Sequence, residues 1–175
     1  PCGAARFAAP SLHGNSAVDD TRLAFRDAMS RWASGVTVVG ATHDGRRVGL
    51  VASSFTSVSA DPPTVLVCID KRSRSLSAID ASAAFAVSVL ASTQEEAFRV
   101  FAAIAGDVPD KFAACGDAVW EGATGSPVLD SSLAWFDCRI VARHDGGNSH
   151  VVLLGEVVAS GASTNSDAAP LVYFG

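Results

Sequence analysis

Several common catalytic signatures are missing from this chain. No G-x-G-x-x-G opens a helix after a strand and no P-loop occurs, so a nucleotide must be held in some other way. H-E-x-x-H and clustered His/Cys ligands are absent, which removes the usual zinc centres. The G-x-S-x-G elbow of a serine hydrolase is absent too. Of the four cysteines, Cys2, Cys68, Cys115 and Cys138, none forms a C-x-x-C pair. Cys68 and Cys138 lie in apolar, strand-like runs and read as reduced core thiols. Charge is scarce: 18% of residues are charged, against about a quarter in an ordinary soluble domain. Either a second subunit covers some apolar surface or the abundance of alanine depresses the count. The net charge of −5 argues against a general nucleic-acid binder but leaves room for a local basic pocket. No apolar run approaches the ~20 residues of a membrane span, and the N-terminus lacks the order of a signal peptide. A cytoplasmic protein is expected.

The 175 residues fit one domain, able to bury roughly 70% of its unfolded surface. Residues 1–19 are rich in Ala, Gly, Pro, Ser and Asn without periodicity and read as a flexible arm, leaving 20–175 as the domain. Phe25, Ala28, Met29 and Trp32 fall on one helical face, which predicts a helix over 21–33 with Asp19 or Asp20 as cap. Asp44-Gly45 is a hairpin signal between strands over 36–42 and 47–52. Further strands are expected over 64–69, 85–90, 133–143 and 150–159, with a last short one over 170–174. In the 133–143 run, Ala134, Phe136, Cys138, Ile140 and Ala142 alternate with Trp135, Asp137, Arg139, Val141 and Arg143. Short helices are expected after Ser73 or Ser75 and after the capping box Ser92-Thr93-Gln94-Glu95. Residues 106–125 read as polar and Gly-rich connections. Strands joined by short turns, with no regular βαβ alternation, predict a mainly antiparallel β-barrel with peripheral helices.

The richest stretch is 49–75. Ser53, Ser54, Thr56, Ser57 and Ser59 surround Phe55; Asp61-Pro62-Pro63 then introduces an apolar strand; and the strand ends in Lys71-Arg72-Ser73-Arg74-Ser75. Hydroxyls and backbone N–H groups beside a strand end can bond the polar edge of a ring or a phosphate. Cations at a helix start suit an anion. A flat ligand with an anionic tail fits both. Read alone, the serines are equally a polar strand edge and the basic run a solvated turn. Lys111 in Pro109-Asp110-Lys111-Phe112 can reach a phosphate or stay in solvent. His150 follows a Gly-Gly-Asn-Ser turn, where an imidazole can bond a carboxamide or simply a turn carbonyl.

Taken together, F-R-D-A-M-S-R-W-A-S-G-V-T-V-V (25–39), S-S-F-T-S-V-S-A-D-P-P (53–63) and V-L-V-C-I-D-K-R-S-R-S (65–75) resemble the flavin reductase-like family. More narrowly, they resemble the small reductase component of two-component flavin-dependent monooxygenases. D-K-F (110–112), G-S-P-V-L-D (125–130), H-V-V-L-L-G-E-V (150–157) and P-L-V-Y-F (170–174) continue the resemblance in order from about residue 20 onward.

The resemblance implies an antiparallel Greek-key split barrel of the FMN-binding type, usually a homodimer. It implies hydride transfer from NADH or NADPH to FAD or FMN, the reduced flavin then leaving for a partner oxygenase. FAD is placed ahead of FMN. NADH is placed ahead of NADPH, since no arginine cluster for a 2′-phosphate stands near His150. By matching position, Val51, Ala52, Ser53, Ser54 and Ser57 would line the flavin ring. Cys68, Ile69, Asp70, Ser73 and Ser75 would take the ribityl chain and phosphate, and Lys111 and Phe112 would close on the same ligand. His150 and Tyr173 would meet the nicotinamide nucleotide, with His150 as the catalytic group. Two positions depart from the family pattern: Asn148-Ser149 stands where Gly-Asp is common, and Ser53 where asparagine is common. Two other functions stay open at this point. One is a tightly held flavin reducing iron or a corrinoid. The other is a flavin-binding module without reductase activity.

Overall fold

In the computed structural model of the protein, the described residues are 16–104, 106, 108–165 and 167–175. They divide into two units. The smaller holds α1 (Ser16–Ser30) and the terminal Phe174–Gly175, joined by the Gly175 N–H donating to the Ser30 carbonyl at 3.1 Å. The helix thus begins and ends earlier than its apolar spacing predicts. Arg31 and Trp32 donate to carbonyls three residues back, so the chain tightens out of the α-helix there. Residues 16–19 of the expected arm belong to this helix, and 1–15 lie outside the described residues. Leu23, Phe25, Met29 and Trp32 are all exposed.

The larger unit, Ser34–Tyr173, carries the remaining elements. In chain order these are β1 (Ser34–Gly35), β2 (Thr37–His43), β3 (Arg46–Ala52), β4 (Thr56–Ala60), β5 (Pro63–Asp70), α2 (Leu76–Ser82) and β6 (Ala84–Val89). Then follow α3 (Glu95–Phe101), α4 (Lys111–Ala114), β7 (Val119–Glu121), β8 (Pro127–Leu129), β9 (Ala134–Asp145), β10 (His150–Ala162) and β11 (Val172–Tyr173). Seven strands form one antiparallel sheet in the order β3-β2-β6-β9-β10-β5-β4, and β1–β11 and β7–β8 form two small ones. Asp44 and Gly45 close the β2–β3 hairpin with φ of 50° and 72°, as an Asp-Gly turn requires.

Side chains from β2, β3, β5, β6, β9 and β10 meet in one core with Leu76 and Ile79 of α2. Three strands separate β2 from β5 in the sheet, so the sheet must curl for Val39 and Val67 to share an interior. This is the expected split barrel. At its centre Phe85 and Cys138 are fully buried. Gly155 of β10 leaves room for them: a Cβ there would stand 2.6 Å from Phe85 Cζ and 2.9 Å from Cys138 Cβ. Burial pushes the Cys138 thiol up to about 12, with the adjacent Asp137 carboxylate adding to it.

Period-2 alternation turns the other side of β2 outward to a second core. Val36 and Val38 pack there with Leu90, Ala97, Phe101, Phe112 and Leu129. Gly40 and Gly49 face each other across β2 and β3. A Cβ on Gly40 would come within 2.8 Å of Phe112 Cζ, and one on Gly49 within 2.6 Å of Phe101 Cε1. This bare notch seats the two rings, which meet edge to face at 4.7 Å.

Several local expectations change. The stretch 56–60 of the serine cluster is an exposed edge strand, and residues 106–125 contain α4 and β7. Ser92 does not cap α3: the helix starts after Gln94, and the Ser92 N–H that a capping-box glutamate would take donates instead to the Ala169 carbonyl. Asp137, on the strand face it shares with Trp135, is fully buried. The 122–126 turn covers that face, and the Thr124 N–H and hydroxyl both donate to the Asp137 carboxylate.

Candidate functional site

A cleft of about 490 Å³ opens between β3 and the loop that follows β5. Arg46 and Arg47 begin one wall, and the backbone of 48–50 continues it. Arg72, Ser73, Arg74 and Ser75 form the opposite wall, while Phe101, Pro109 and Lys111 close one end. Five cations therefore face one space in a chain of net charge −5. Neutralisation is partial. Asp110 pairs with Arg47 at 2.8 Å and caps α4 through the Phe112 and Ala113 N–H groups. The Arg47 guanidinium foremost, and then those N–H groups, hold the Asp110 carboxyl below the usual carboxylate range against its partial burial. Asp70 receives Arg72 at 2.7 Å, and that hydrogen bond holds its carboxyl far below the usual range. Lys111 Nζ donates to the Phe101 carbonyl at 3.0 Å.

The arrangement suits a ligand with more than one negative charge along its length. Cations stand on both walls, and main-chain groups of β3 lie between them. Residues 47, 49, 51 and 53 share one face of β3 and its continuation. Beyond the cleft that face leads to a smaller cavity of about 170 Å³, lined by Val36, Val51, Ser53, Phe98 and Tyr173.

The expected site residues separate into groups. Ser73, Ser75 and Lys111 line the basic cleft, and Val51, Ser53 and Tyr173 line the smaller cavity. Ser75 is buried, with its hydroxyl donating to the Gly49 carbonyl, so it ties the two walls together. The Ser54 hydroxyl donates to the Cys68 carbonyl at 2.9 Å and accepts from the Cys68 N–H at 3.1 Å, joining the end of β3 to β5. Ala52 and Ile69 turn their side chains into the barrel core. Phe112 is buried under the cleft in the glycine notch, where it positions Lys111. Ser57 is exposed on β4, opposite Val65. Cys68 is half-buried on β5.

His150 lines neither cavity. It is exposed at the start of β10, directly opposite Asp70, with its Nδ1 2.8 Å from Ser149 Oγ. Lys71, read from the sequence as part of the ligand-facing basic run, points elsewhere. Its Nζ reaches Asp145 Oδ1 at 2.8 Å and the Gly147 carbonyl at 2.6 Å. Arg46, Arg47 and the Gly40/Gly49 notch carry no local signal in the sequence. The arginines look like hairpin flanks, and only tertiary pairing carries them opposite residues 72–75.

Among the described residues there is no cluster of His, Cys, Asp and Glu able to hold a metal ion, and no helix is long and apolar enough to cross a membrane.

Known proteins resemble the chain in sequence and fold. The chain is 38% identical over 151 residues to the flavin-dependent monooxygenase reductase subunit HsaB of Mycobacterium tuberculosis, covering 86% of this chain and 77% of that one. The crystal structure of nitrilotriacetate monooxygenase component B from Mycobacterium thermoresistibile superposes with a TM-score of 0.80 at 37% identity, covering 90% and 84% of the two chains. The NADH:FAD oxidoreductase SgcE6 of Streptomyces globisporus gives 0.78 at 30% identity, covering 94% and 93%. The family model for the flavin reductase like domain matches residues 29–175. A curled antiparallel sheet with a basic cleft on its β3 edge, found in a chain matched over nearly all its described length, belongs to the flavin reductase like domain family.

Proposed function

We propose that the protein is an NAD(P)H:flavin oxidoreductase that supplies reduced flavin to a partner monooxygenase. The observation that carries the reading is the two-walled basic cleft beside the small side chains of β3. Its donors fit a flavin nucleotide: cations and Ser73 for the phosphates, and the backbone of 48–50 with Val51 and Ser53 toward the ring. When bound, the flavin supplies the acceptor, at N5, for the hydride leaving nicotinamide C4. The protein's task is then to hold two rings about 3–3.5 Å apart and keep water out. That task needs no nucleophile, in keeping with a sequence that lacks the G-x-S-x-G elbow.

Cations on both walls fit the diphosphate of FAD better than the single phosphate of FMN. NADH is favoured over NADPH because basic groups around the His150 turn are occupied: Arg143 bonds Asp80 at 3.3 Å, Lys71 bonds Asp145 and Arg72 bonds Asp70. The three described cysteines are free thiols, which suits the reducing cytoplasm. His150 is assigned to orient the nicotinamide. The test is NADH oxidation with and without added free FAD or FMN. Turnover should rise with added flavin, and His150→Ala should lower kcat/KM for NADH about tenfold or more while leaving the flavin KM near wild type. A yellow protein indifferent to added flavin would instead support a resident flavin serving another acceptor.

A homodimer is part of the same reading. Phe25 and Met29 on α1 and Trp32 just beyond it, and separately Val58, Val141 and Val158 on the larger unit, leave large apolar side chains exposed. Light scattering should give twice the chain mass. A fully active monomer would remove this part of the reading.

A further inference from the structure

We propose that Lys71 is a positioning residue for His150: it tethers the turn that carries the histidine, rather than binding a ligand phosphate. The inference rests on the reductase reading above and concerns how its two sides are joined.

The turn between β9 and β10 contains Gly146 and Gly147, the latter at φ +88°, and within it the Gly146 N–H donates to the His150 carbonyl at 3.0 Å. Its residues are exposed, as is the His150 that follows. Lys71 makes three contacts with it. The Lys71 N–H donates to the Ser149 carbonyl at 2.9 Å. Its ammonium donates to the Gly147 carbonyl at 2.6 Å and to Asp145 Oδ1 at 2.8 Å. The contacts therefore fall on both strand ends of the turn and on its middle. Ser149 then fixes the ring itself, with its hydroxyl 2.8 Å from His150 Nδ1.

The neighbours of Lys71 give the tether its significance. Asp70 stands directly opposite His150 in the β5–β10 register. Arg72 lines the basic cleft and is bound to Asp70. Three consecutive residues thus face the histidine, hold its turn and line the cleft, in that order. The Lys71 ammonium also holds the Asp145 carboxyl below its usual range. A lysine with its ammonium bonded at two acceptors on the turn is poorly placed to contact a phosphate across the cleft. It is well placed to make the hydride-donor side depend on the loop that grips the flavin.

The test uses Lys71→Met and Asp145→Asn in steady-state flavin reduction, with Lys71→Arg as the conservative variant. Each of the first two should raise the NADH KM about threefold to fivefold, the scale of an exposed charge pair, with flavin KM and kcat within about twofold of wild type. The double variant should be no worse than the weaker single, because both remove one tether. Lys71→Arg should restore most of the NADH KM. A raised flavin KM with an unchanged NADH KM would show that Lys71 binds phosphate and overturn the proposal. So would an unchanged NADH KM in both single variants. The tether is also read without catalysis: amide hydrogen exchange over 146–150 should speed up in Lys71→Met and Asp145→Asn, and unchanged exchange refutes it. If the wild type fails to oxidise NADH with any flavin, the reductase reading fails by itself, and the exchange measurement still decides the tether.

Discussion

Removing both arginines of the loop after β5, in the double variant R72A/R74A, should weaken flavin binding by about tenfold to a hundredfold, since a charge-assisted bond to phosphate contributes roughly 1.5–3 kcal/mol. Both side chains line the cleft wall opposite Arg46 and Arg47. Flavin titration by fluorescence quenching measures the effect directly. The loss should be larger for FAD than for FMN if the two walls grip a diphosphate. The wild-type affinity should fall with added salt more steeply than that of R72A/R74A, because the double variant has fewer charges left to screen. The NADH KM should move far less than the flavin affinity, since the His150 turn is held through Lys71. Flavin affinity within twofold of wild type would show that this basic loop is a solvated turn, the plain reading its sequence also allows.

A second large effect is expected in the barrel core. Phe85 is fully buried on β6, and its ring occupies the space that Gly155 leaves on β10. Phe85→Ala removes most of that ring from a site where the surrounding strands, paired on both sides, collapse poorly. The cost should be about 3–5 kcal/mol. For a chain of this length that corresponds to a fall in Tm of roughly 6–20 °C. Thermal unfolding followed by circular dichroism tests it, and a fall of less than about 3 °C would mean that the core relaxes into the space. Gly155 explains why the site is sensitive. A residue with a Cβ there would push into the Phe85 ring from the opposite strand, so the pair is fixed in both directions.

These two sites differ in how visible they are in the sequence. Alternation along 133–143 and the Asp-Gly turn are local signals, and they place β9 and the β2–β3 hairpin within two residues or so of their observed ends. The barrel follows from many strands with short connections. The cleft is legible only in half. Residues 72–75 announce themselves as a basic, hydroxyl-rich run after a strand, but Arg46 and Arg47 reach the same space through pairing of β3 with β2 and the curl of the sheet. No spacing in the sequence encodes that approach. Serine is the least readable residue here. Ser53 lines a cavity, Ser54 staples two strands and Ser75 bonds a carbonyl across the cleft, although all three look alike as hydroxyls near a strand end. Lys71 and Arg72 make the same point for cations: adjacent in the chain, they serve different faces of the loop. Phe112 reads as a ligand-closing aromatic until Gly40 and Gly49 are seen to form its seat, which requires knowing that those glycines are cross-strand partners.

The buried cysteines bear on the chemistry such an enzyme must survive. Free reduced flavin reacts with dioxygen, so a protein that releases it works beside a source of hydrogen peroxide. Peroxide attacks thiolates far faster than thiols. Cys138 lies sealed between Phe85 and the strand bearing Gly155, with its thiol pushed up to about 12, and burial raises Cys115 as well. The Cys138 sulfur therefore stays protonated at cellular pH and out of reach, and Cys115 is shielded in the second core, so the interior of the barrel offers no oxidisable anion to the by-product of its own turnover.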